Sequence, residues 1–263
     1  MIMPVTQSSA DSDGLRTLSR ASLLLRLLAA EAGPVPLARL APLSGLHRAT
    51  VHRLLSALVV EGFVDQTPQG YLLGHQIWLI GQAAATHFDL QDIAAPALRL
   101  IADATGDVAL LSVRMGRLAR CVDRVEGHNP ILPVTLRAGT MRPLGCGAHA
   151  LALLAALPDA EVEVILAGEQ ERATFPAFTA AYLRDKVAET RAQGFALSDQ
   201  DIVAGMTAVG IPVHDPWGRP IASLSCAAIS AHLDPAKRME VVGHLRRGAA
   251  DIEARLLGQQ AAA

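Results

Sequence analysis

The chain of 263 residues is poor in cysteine and has no long run of apolar residues. Its three cysteines, Cys121, Cys146 and Cys226, are far apart and form no Cys-x-x-Cys pair, so we expect reduced, buried thiols and no disulfide framework. No apolar stretch reaches the roughly 18 residues of a membrane-spanning helix. The polar, Ser-rich start does not resemble a signal peptide. These absences predict a soluble, cytoplasmic protein without membrane association, whose residues 1–14 are unstructured.

Motifs of the common catalytic classes are also absent. The chain has no Gly-x-Ser-x-Gly elbow, no His-Glu-x-x-His helix and no phosphate-binding loop with its lysine. Cys146 and His149 have Cys-x-x-His spacing, but a stable zinc site needs three or four protein ligands. Gly145 and Gly147 lack the third glycine and the βαβ context of a dinucleotide-binding loop. We therefore expect no catalytic residue, metal or cofactor, and a small-molecule enzyme remains only an alternative.

The net charge of −2 is unevenly distributed along the chain. Residues 15–74 contain six Arg against three acidic residues, a net charge of +3, whereas the rest of the chain carries −5. With 51% apolar residues, the length suffices for two packed domains. A basic head on an acidic body is typical of a DNA-binding domain joined to a second domain, although a solvated surface also produces such a surplus.

Hydrophobic periodicity predicts three helices and a hairpin within residues 15–75. The helices are expected at residues 18–32, at residues 36–43, and from the turn at Ser44-Gly45 to Glu61. Residues 63–73 alternate in polarity around a turn that contains proline and glycine, which predicts two short strands. Three helices with a glycine turn before the last, followed by a hairpin, are typical of a winged helix-turn-helix.

The third predicted helix has two faces of opposite character. One face is apolar at helical spacing, with Val51, Leu54, Leu55 and Leu58. The opposite face and the N-terminal end are polar and basic, with His47, Arg48, Thr50, His52 and Arg53. We predict that this end enters the major groove of double-stranded DNA, where Arg48 and Arg53 contact a base or the backbone. The alternative is that both arginines are simply solvated.

The hairpin turn offers a second set of candidate DNA contacts. Gln66 and Gln69 flank the turn, where polar side chains reach the minor groove or a phosphate in a winged protein. A plain surface turn explains the same residues equally well. We treat Gln66 and Gln69 as candidate DNA-binding residues.

The remainder of the chain is predicted to be a linker helix over residues 76–92 and an α+β domain over residues 93–260. Helices are expected at residues 93–105, 148–156, 159–166, 178–193 and 235–257, and strands at residues 108–113, 120–125, 131–136, 208–214 and 220–226. Short turns between successive strands indicate a mostly antiparallel sheet.

Separated motifs in both parts agree with those of one family. Its head usually reads Gly-Leu-Pro-Lys-Ser-Thr-Val-His-Arg-Leu-Leu, then Leu, Gly-Tyr/Phe-Val and Tyr-x-Leu-Gly. The counterparts here are Gly45-Leu46, Thr50 to Leu55, Leu58, Gly62 to Val64 and Tyr71 to Gly74, and in the body Asp123 to Glu126, Pro143-Leu144, Gly194-Phe195, Gly205 and Ser225. Over nearly its whole length the chain thus resembles the IclR family of bacterial transcriptional regulators. The resemblance implies a winged helix-turn-helix followed by a GAF-like effector-binding domain.

The chain departs from the family pattern at three places. His47-Arg48-Ala49 replaces the usual Pro-Lys-Ser, so contacts of the first helical turn with DNA differ. Leu151 replaces the lysine that usually ends the effector loop, and Thr207-Ala208 replaces a common Arg-Cys. Ligand roles carried by those groups in the family are therefore not transferred to this chain.

The resemblance also implies an effector pocket built from small residues. Its candidates are Gly147, Ala148 and His149 in the loop, and Met206, Ala208, Ser225 and Ala227 on the facing strands. Gly147, at a helix start, offers backbone N–H groups to a carboxylate, so we expect a small organic acid, aromatic acids included. His149 either pairs with the carboxylate, positions a hydroxyl, or is an ordinary half-buried, satisfied histidine.

Together these features predict a ligand-responsive, DNA-binding transcriptional regulator of a catabolic pathway. One head makes too few contacts for specificity, so we expect a dimer or tetramer, paired through the apolar linker helix, on an inverted-repeat operator. The alternative is a constitutive DNA-binding protein whose C-terminal domain serves only oligomerisation.

Overall fold

A computed structural model describes residues 9–31, 33–85, 89–134, 136–168 and 172–258. The chain divides into two compact units, residues 1–88 and 89–263. Of the start that was predicted to be unstructured, residues 1–8 lie outside the described residues, and the first helix begins at Ser9. Within the described ranges, no helix is both long enough and apolar enough to cross a membrane.

The described residues of the first unit form four helices and one hairpin. They are α1 Ser9–Ala30, α2 Leu37–Ser44, α3 Arg48–Val60, β1 Val64–Thr67, β2 Gly70–Leu73 and α4 His75–Ala85. The apolar face predicted for α3 is buried and packs with Leu24, Leu40 and Tyr71 from α1, α2 and β2. The winged helix-turn-helix predicted from periodicity is therefore confirmed.

The turn that sets the direction of α3 depends on Gly45. This residue ends α2 in the left-handed conformation, with φ of 65°, which a residue with a Cβ atom rarely adopts. Its N–H donates to the Pro42 carbonyl oxygen at 3.2 Å, and the Leu46 N–H donates to Ser44 Oγ at 3.3 Å. His47 is extended, so α3 starts in a new direction at Arg48.

The hairpin is fixed to the helices by an additional bridge. Val35 and Tyr71 exchange two backbone hydrogen bonds of 2.8 and 2.9 Å. A Cβ atom at Gly70 would lie 2.5 Å from the Val35 carbonyl carbon, so only glycine permits this approach. The bridge gives the hairpin a defined position beside the helices.

The second unit is a six-stranded antiparallel sheet with helices on both faces. Its elements are α5 Leu90–Thr105, β3 Val108–Met115, β4 Leu118–Val125, β5 Met141–Pro143, α6 Ala148–Ala155, α7 Asp159–Leu166, α8 Ala180–Gln193, β6 Ala196–Asp199, β7 Met206–His214, β8 Pro220–Ile229 and α9 Pro235–Leu256. The strand order is β5-β4-β3-β8-β7-β6, and every neighbouring pair is antiparallel. The predicted α+β fold is confirmed.

Successive side chains of β8 alternate between the two faces of the sheet, and each face borders a different core. Leu224 and Cys226 point into the large core that α5 and α9 close. Ser223, Ser225 and Ala227 point to the opposite face, where Ser223 Oγ donates to the His149 carbonyl oxygen of α6 at 2.9 Å. The polar face of β8 therefore meets the first turn of α6.

Two strand assignments differ from the sequence expectation. The strand predicted at residues 131–136 is wrong, because the described residues of this stretch form a loop and β5 at Met141–Pro143 pairs with β4 instead. Pro130 and Pro133 explain the difference, since proline donates no hydrogen bond to a sheet ladder. The edge strand β6 at Ala196–Asp199 was not predicted.

Candidate functional site

The N-terminal end of α3 presents a basic, solvent-exposed surface. His47, Arg48, His52 and Arg53 are exposed and Thr50 is half-buried, as expected for a recognition helix. His47 lies at the N-cap without a side-chain cap, and the first intrahelical hydrogen bonds begin at the Thr50 N–H. The helix start therefore adds free backbone N–H groups and the positive end of its dipole to the basic side chains.

The arginines of α3 are not neutralised by neighbouring carboxylates. In the described part of the first unit, Arg39 pairs with Glu31 at 2.6 Å, whereas Arg48 and Arg53 form no salt bridge. Five positions apart, they project about 140° from each other around the helix. One side chain can thus face the base edges in a DNA groove while the other faces the phosphate backbone.

The hairpin places its two glutamines on the surface. Gln66 lies in β1, opposite Tyr71, and Gln69 lies in the turn, and both are exposed. Thr67 Oγ1 accepts a hydrogen bond from the Gln69 N–H at 3.3 Å and lies 3.1 Å from the Gly70 carbonyl oxygen, to which it donates. Two hydrogen bonds of Thr67 Oγ1 thus hold the turn, and the side chains of Gln66 and Gln69 remain exposed.

All seven effector candidates line one cavity beside the start of α6, which we call the α6 cavity. They are Gly147, Ala148, His149, Met206, Ala208, Ser225 and Ala227. The volume of the α6 cavity is about 40 Å³. The structure thus brings together residues that lie up to 80 positions apart in the sequence.

Arg142 also lines the α6 cavity, although it was not predicted. It is half-buried in β5, opposite Ala119 of β4, and burial lowers the pKa of its guanidinium. An Arg keeps its charge even so, because its ordinary pKa lies far above neutral pH. A Cβ atom at Gly147 would lie 3.2 Å from Arg142 Nη1, so the cation sits at the N-terminus of α6. The only sequence signal was its position before the Pro143-Leu144 motif.

His149 is neither half-buried nor satisfied, so that reading of it is wrong. It is 3% exposed, and burial, followed by the positive charge of Arg142, lowers its pKa to about 3. The imidazole is therefore neutral at pH 7. Among the described residues, neither His149 Nε2 nor Ser225 Oγ has a hydrogen-bond partner.

Cys146 is chemically inert in this environment. Burial raises its pKa to about 12, which keeps the thiol protonated despite the positive charges of Arg172 and Arg142. A thiolate is the form that binds metal or attacks an electrophile. All three cysteines are free and buried, as the sequence predicts.

A larger groove between α5 and α9 has a different character. Its volume is about 530 Å³ and its floor is apolar. The rim is already paired, because Arg255 Nε donates to Asp251 Oδ2 at 2.9 Å and Arg247 Nη2 lies 3.0 Å from His244 Nδ1. None of the buried, unpartnered polar atoms in the described ranges lies there. The α6 cavity is therefore the stronger candidate for a ligand site.

Comparison with known proteins identifies both units. Residues 17–68 match the IclR helix-turn-helix domain, and residues 82–254 match the bacterial transcriptional regulator IclR C-terminal family. The chain is 29% identical over 227 residues to the HTH-type transcriptional regulator XynR of Escherichia coli K12, covering 85% of this chain and 90% of that protein. It is 32% identical over 209 residues to the glycerol operon regulatory protein of Streptomyces griseus, covering 76% and 80%.

The fold also matches a solved structure. The Thermotoga maritima IclR crystal structure superposes with a TM-score of 0.59 at 24% identity, covering 92% of this chain and 99% of that one. These relatives are regulators of transcription and not enzymes. With both units matched in the expected order, the chain belongs to the IclR family of bacterial transcriptional regulators.

Proposed function

We propose that the protein binds an inverted-repeat operator as a dimer or tetramer and responds to a small organic acid from a catabolic pathway, acting in the cytoplasm. The observation that carries the DNA-binding role is the exposed basic end of α3, where Arg48 and Arg53 have no acidic partner among the residues that the structure describes. Guanidinium groups suit guanine edges and phosphates, and the helix start adds N–H donors for phosphate.

The helix α4 supplies the surface for pairing. Trp78, Leu79 and Ile80 are exposed large apolar residues at successive positions, and Trp78 is 63% exposed. Exposed apolar patches of this kind mark interaction sites, because leaving them in water is unfavourable. A two-fold pair presents two α3 helices to half-sites about one or more helical turns apart.

The α6 cavity supports the effector role. It combines small residues, the half-buried cation of Arg142 and the start of a helix, which together favour an anion. The ligand alters DNA affinity only if it binds one conformation of the protein better than another. The name of one relative, the Pca regulon regulatory protein of Pseudomonas putida, and that of the glycerol operon regulator support a catabolic role.

In the test, the full-length protein selects binding sites from a library of random DNA. The selected sites are then footprinted with and without a panel of organic acids. We expect an inverted repeat whose occupancy changes with at least one acid. Sites without two-fold symmetry would contradict the paired arrangement. An occupancy that no acid changes would favour the constitutive DNA-binding protein instead.

A further inference from the structure

The groove between α5 and α9 is bordered on its α5 side by an exposed apolar ridge. Pro96, Leu100 and Ala104 recur every fourth position along α5, so they lie on one face of that helix, and all three line the groove. Leu100 is 69% exposed. The floor of the groove is buried and is formed by Ala97, Ile101 and Gly248. We call the residues that line this groove the α5–α9 face. Exposed apolar surface of this kind marks an interaction site, because leaving it in water is unfavourable.

The α5–α9 face suits a protein helix better than a small molecule. The groove has a volume of about 530 Å³, against about 40 Å³ for the α6 cavity. A small-molecule site fixes its ligand with a few convergent polar groups. None of the buried, unpartnered polar atoms of the described residues lies in the groove. Helices instead pack by placing a ridge of side chains, four positions apart, into the groove of a neighbour. We therefore expect the occupant to be a helix with an apolar ridge.

The chain itself carries such a ridge on the same surface as the groove. A two-fold interface between identical copies uses one patch twice, so that patch has to be complementary to itself. A ridge beside a groove meets this condition, because the Leu100 side chain of each copy can enter the groove of the other. The small residues Ala97, Ala104 and Gly248 leave room for it. The α5–α9 face therefore fits a second copy of the chain.

The charges of the two helices are also complementary between copies. Helix α5 carries Asp92, Arg99 and Asp103, a net charge of −1, and none of the three forms a salt bridge with another described residue. Helix α9 carries five basic and three acidic residues, a net charge of +2. Its Arg247, at the rim, lies against His244 and has no acidic partner in the described chain. A two-fold pair that places α5 of one copy along α9 of the other brings opposite charges together.

We propose that the α5–α9 face is a two-fold interface with a second copy of this chain, in which Leu100 of each copy enters the groove of the other. This interface is distinct from the pairing surface proposed on α4. Two different two-fold pairings join four copies into a closed tetramer, whose four α3 helices are twice the number that one inverted repeat engages. The inference rests on the proposed function, because it assigns the second surface of the assembly proposed there.

Sedimentation velocity of the full-length protein over a range of concentrations tests the interface. We expect the natural chain to form tetramers and Leu100→Lys to stop at dimers, with a dimer–tetramer dissociation constant raised at least about a hundredfold. The reason is that symmetry places the lysine in the interface twice, where its charge would be buried without a partner. Lysine favours a helix and position 100 is exposed, so circular dichroism should remain unchanged.

Two further variants control for the substitution itself. Leu100→Met keeps an apolar side chain of similar volume and should retain the tetramer. Val164→Lys changes an exposed valine of α7, in the same unit, that does not line the groove, and should retain the tetramer as well. A natural chain that never exceeds a dimer, a tetramer of Leu100→Lys, or an equal loss in Val164→Lys would overturn the proposal.

Cross-linking identifies the occupant of the groove directly. The three natural cysteines are free and buried, so in Leu100→Cys the introduced thiol is the accessible one for a flexible bismaleimide. We combine Leu100→Cys with Trp78→Ser and Ile80→Ser, which remove the pairing surface of α4, and expect a covalent dimer of this chain. Val164→Cys in the same background should yield no covalent dimer. The absence of a covalent dimer in Leu100→Cys, or a product that contains another protein, would overturn the proposal.

Operator binding by the same preparations separates failure of this inference from failure of the proposed function. Leu100→Lys should bind one inverted repeat as tightly as the natural chain, because a pair joined through α4 already presents two α3 helices. If the operator is bound but Leu100→Lys remains a tetramer, the proposed function stands and the interface assigned here is wrong. If Leu100→Lys reduces the tetramer to a dimer but no DNA is bound, the interface stands and the regulatory role fails.

Discussion

Gly210 of β7 lies so close to the first turn of α6 that a Cβ atom there would approach the Ala148 carbonyl oxygen to 2.7 Å. Ala148 is the first residue of α6 and lines the cavity beside His149. The absence of a side chain at Gly210 therefore allows the helix start to rest directly on the sheet. This contact fixes the position of the first turn of α6, whose residues Ala148 and His149 line the α6 cavity.

Substitution of Gly210 tests this close approach. Gly210→Ala should lower the free energy of unfolding by about 1 to 3 kcal/mol, because an added methyl group in a packed interior forces the backbone to move. Urea denaturation measures the change. Gly243→Ala is the control, since its Cβ would meet only Arg247 at 3.7 Å within α9, where alanine favours the helix. Equal losses in both variants would contradict the account.

The burial of His149 predicts a specific dependence of stability on pH. Its folded pKa of about 3 lies below the ordinary histidine value of 6.5, so the unfolded chain binds a proton that the folded protein excludes as pH falls below 6.5. Stability is then lost progressively as pH falls from 6.5 towards 3. Between pH 7 and pH 5 this group should cost about 2 kcal/mol.

Urea denaturation at both pH values checks this prediction with two variants. His149→Asn lacks the buried imidazole and should lose about 2 kcal/mol less than the natural chain between pH 7 and pH 5. His75→Gln is the control, because His75 is exposed and its substitution should leave the difference unchanged. If His149→Asn shows the full pH dependence, the imidazole is not buried in its neutral form.

We expect the exposed apolar residues of α4 to determine the oligomeric state of the protein in solution. Trp78→Ser together with Ile80→Ser should shift the particle mass towards a monomer, because the variant removes the apolar surface that pairing would bury. Light scattering after size-exclusion chromatography measures the mass. Met239→Ser, on α9, removes another exposed apolar side chain and should retain the assembly. An unchanged mass in the α4 variant would exclude this helix as the pairing surface.

We expect the β1–β2 hairpin, which is the wing of the winged helix-turn-helix, to contribute less to DNA affinity than α3. Gln66→Ala with Gln69→Ala should weaken operator binding about threefold to tenfold, because neutral hydrogen bonds contribute about 0.5 to 1.5 kcal/mol each and are partly replaced by water. Fluorescence anisotropy with a labelled operator measures the change. Gln82→Ala, an exposed glutamine of α4, is the control. No effect of the wing variant would assign Gln66 and Gln69 to a plain surface turn.

The first unit could be predicted from the sequence because its signals are local. Apolar spacing in α3, the glycine at Gly45 and alternation in the hairpin are each read within one short window. The second unit was harder. The edge strands β5 and β6 have three and four residues, too few to show a period, and their pairing is decided by distant partners.

The residues of the α6 cavity could be predicted from the sequence only in part. The family resemblance supplied both the loop residues Gly147 to His149 and the strand residues, and alternation along β8 explains why Ser225 and Ala227 share one face. Arg142 was missed because, apart from its position before Pro143-Leu144, nothing in its neighbourhood distinguishes it from other arginines until β5 pairs with β4. Long-range pairing, which sequence periodicity does not contain, brings its charge to the start of α6.

Operator binding by Arg48→Ala with Arg53→Ala is the most direct measurement of the central claim, that α3 reads DNA. Arg246→Ala with Arg247→Ala is the matched control, because it removes the same charge from exposed positions of α9. We predict that the α3 variant loses at least about a hundredfold in affinity, with unchanged circular dichroism, while the control binds normally. Undiminished binding by the α3 variant, or an equal loss in the control, would contradict the account.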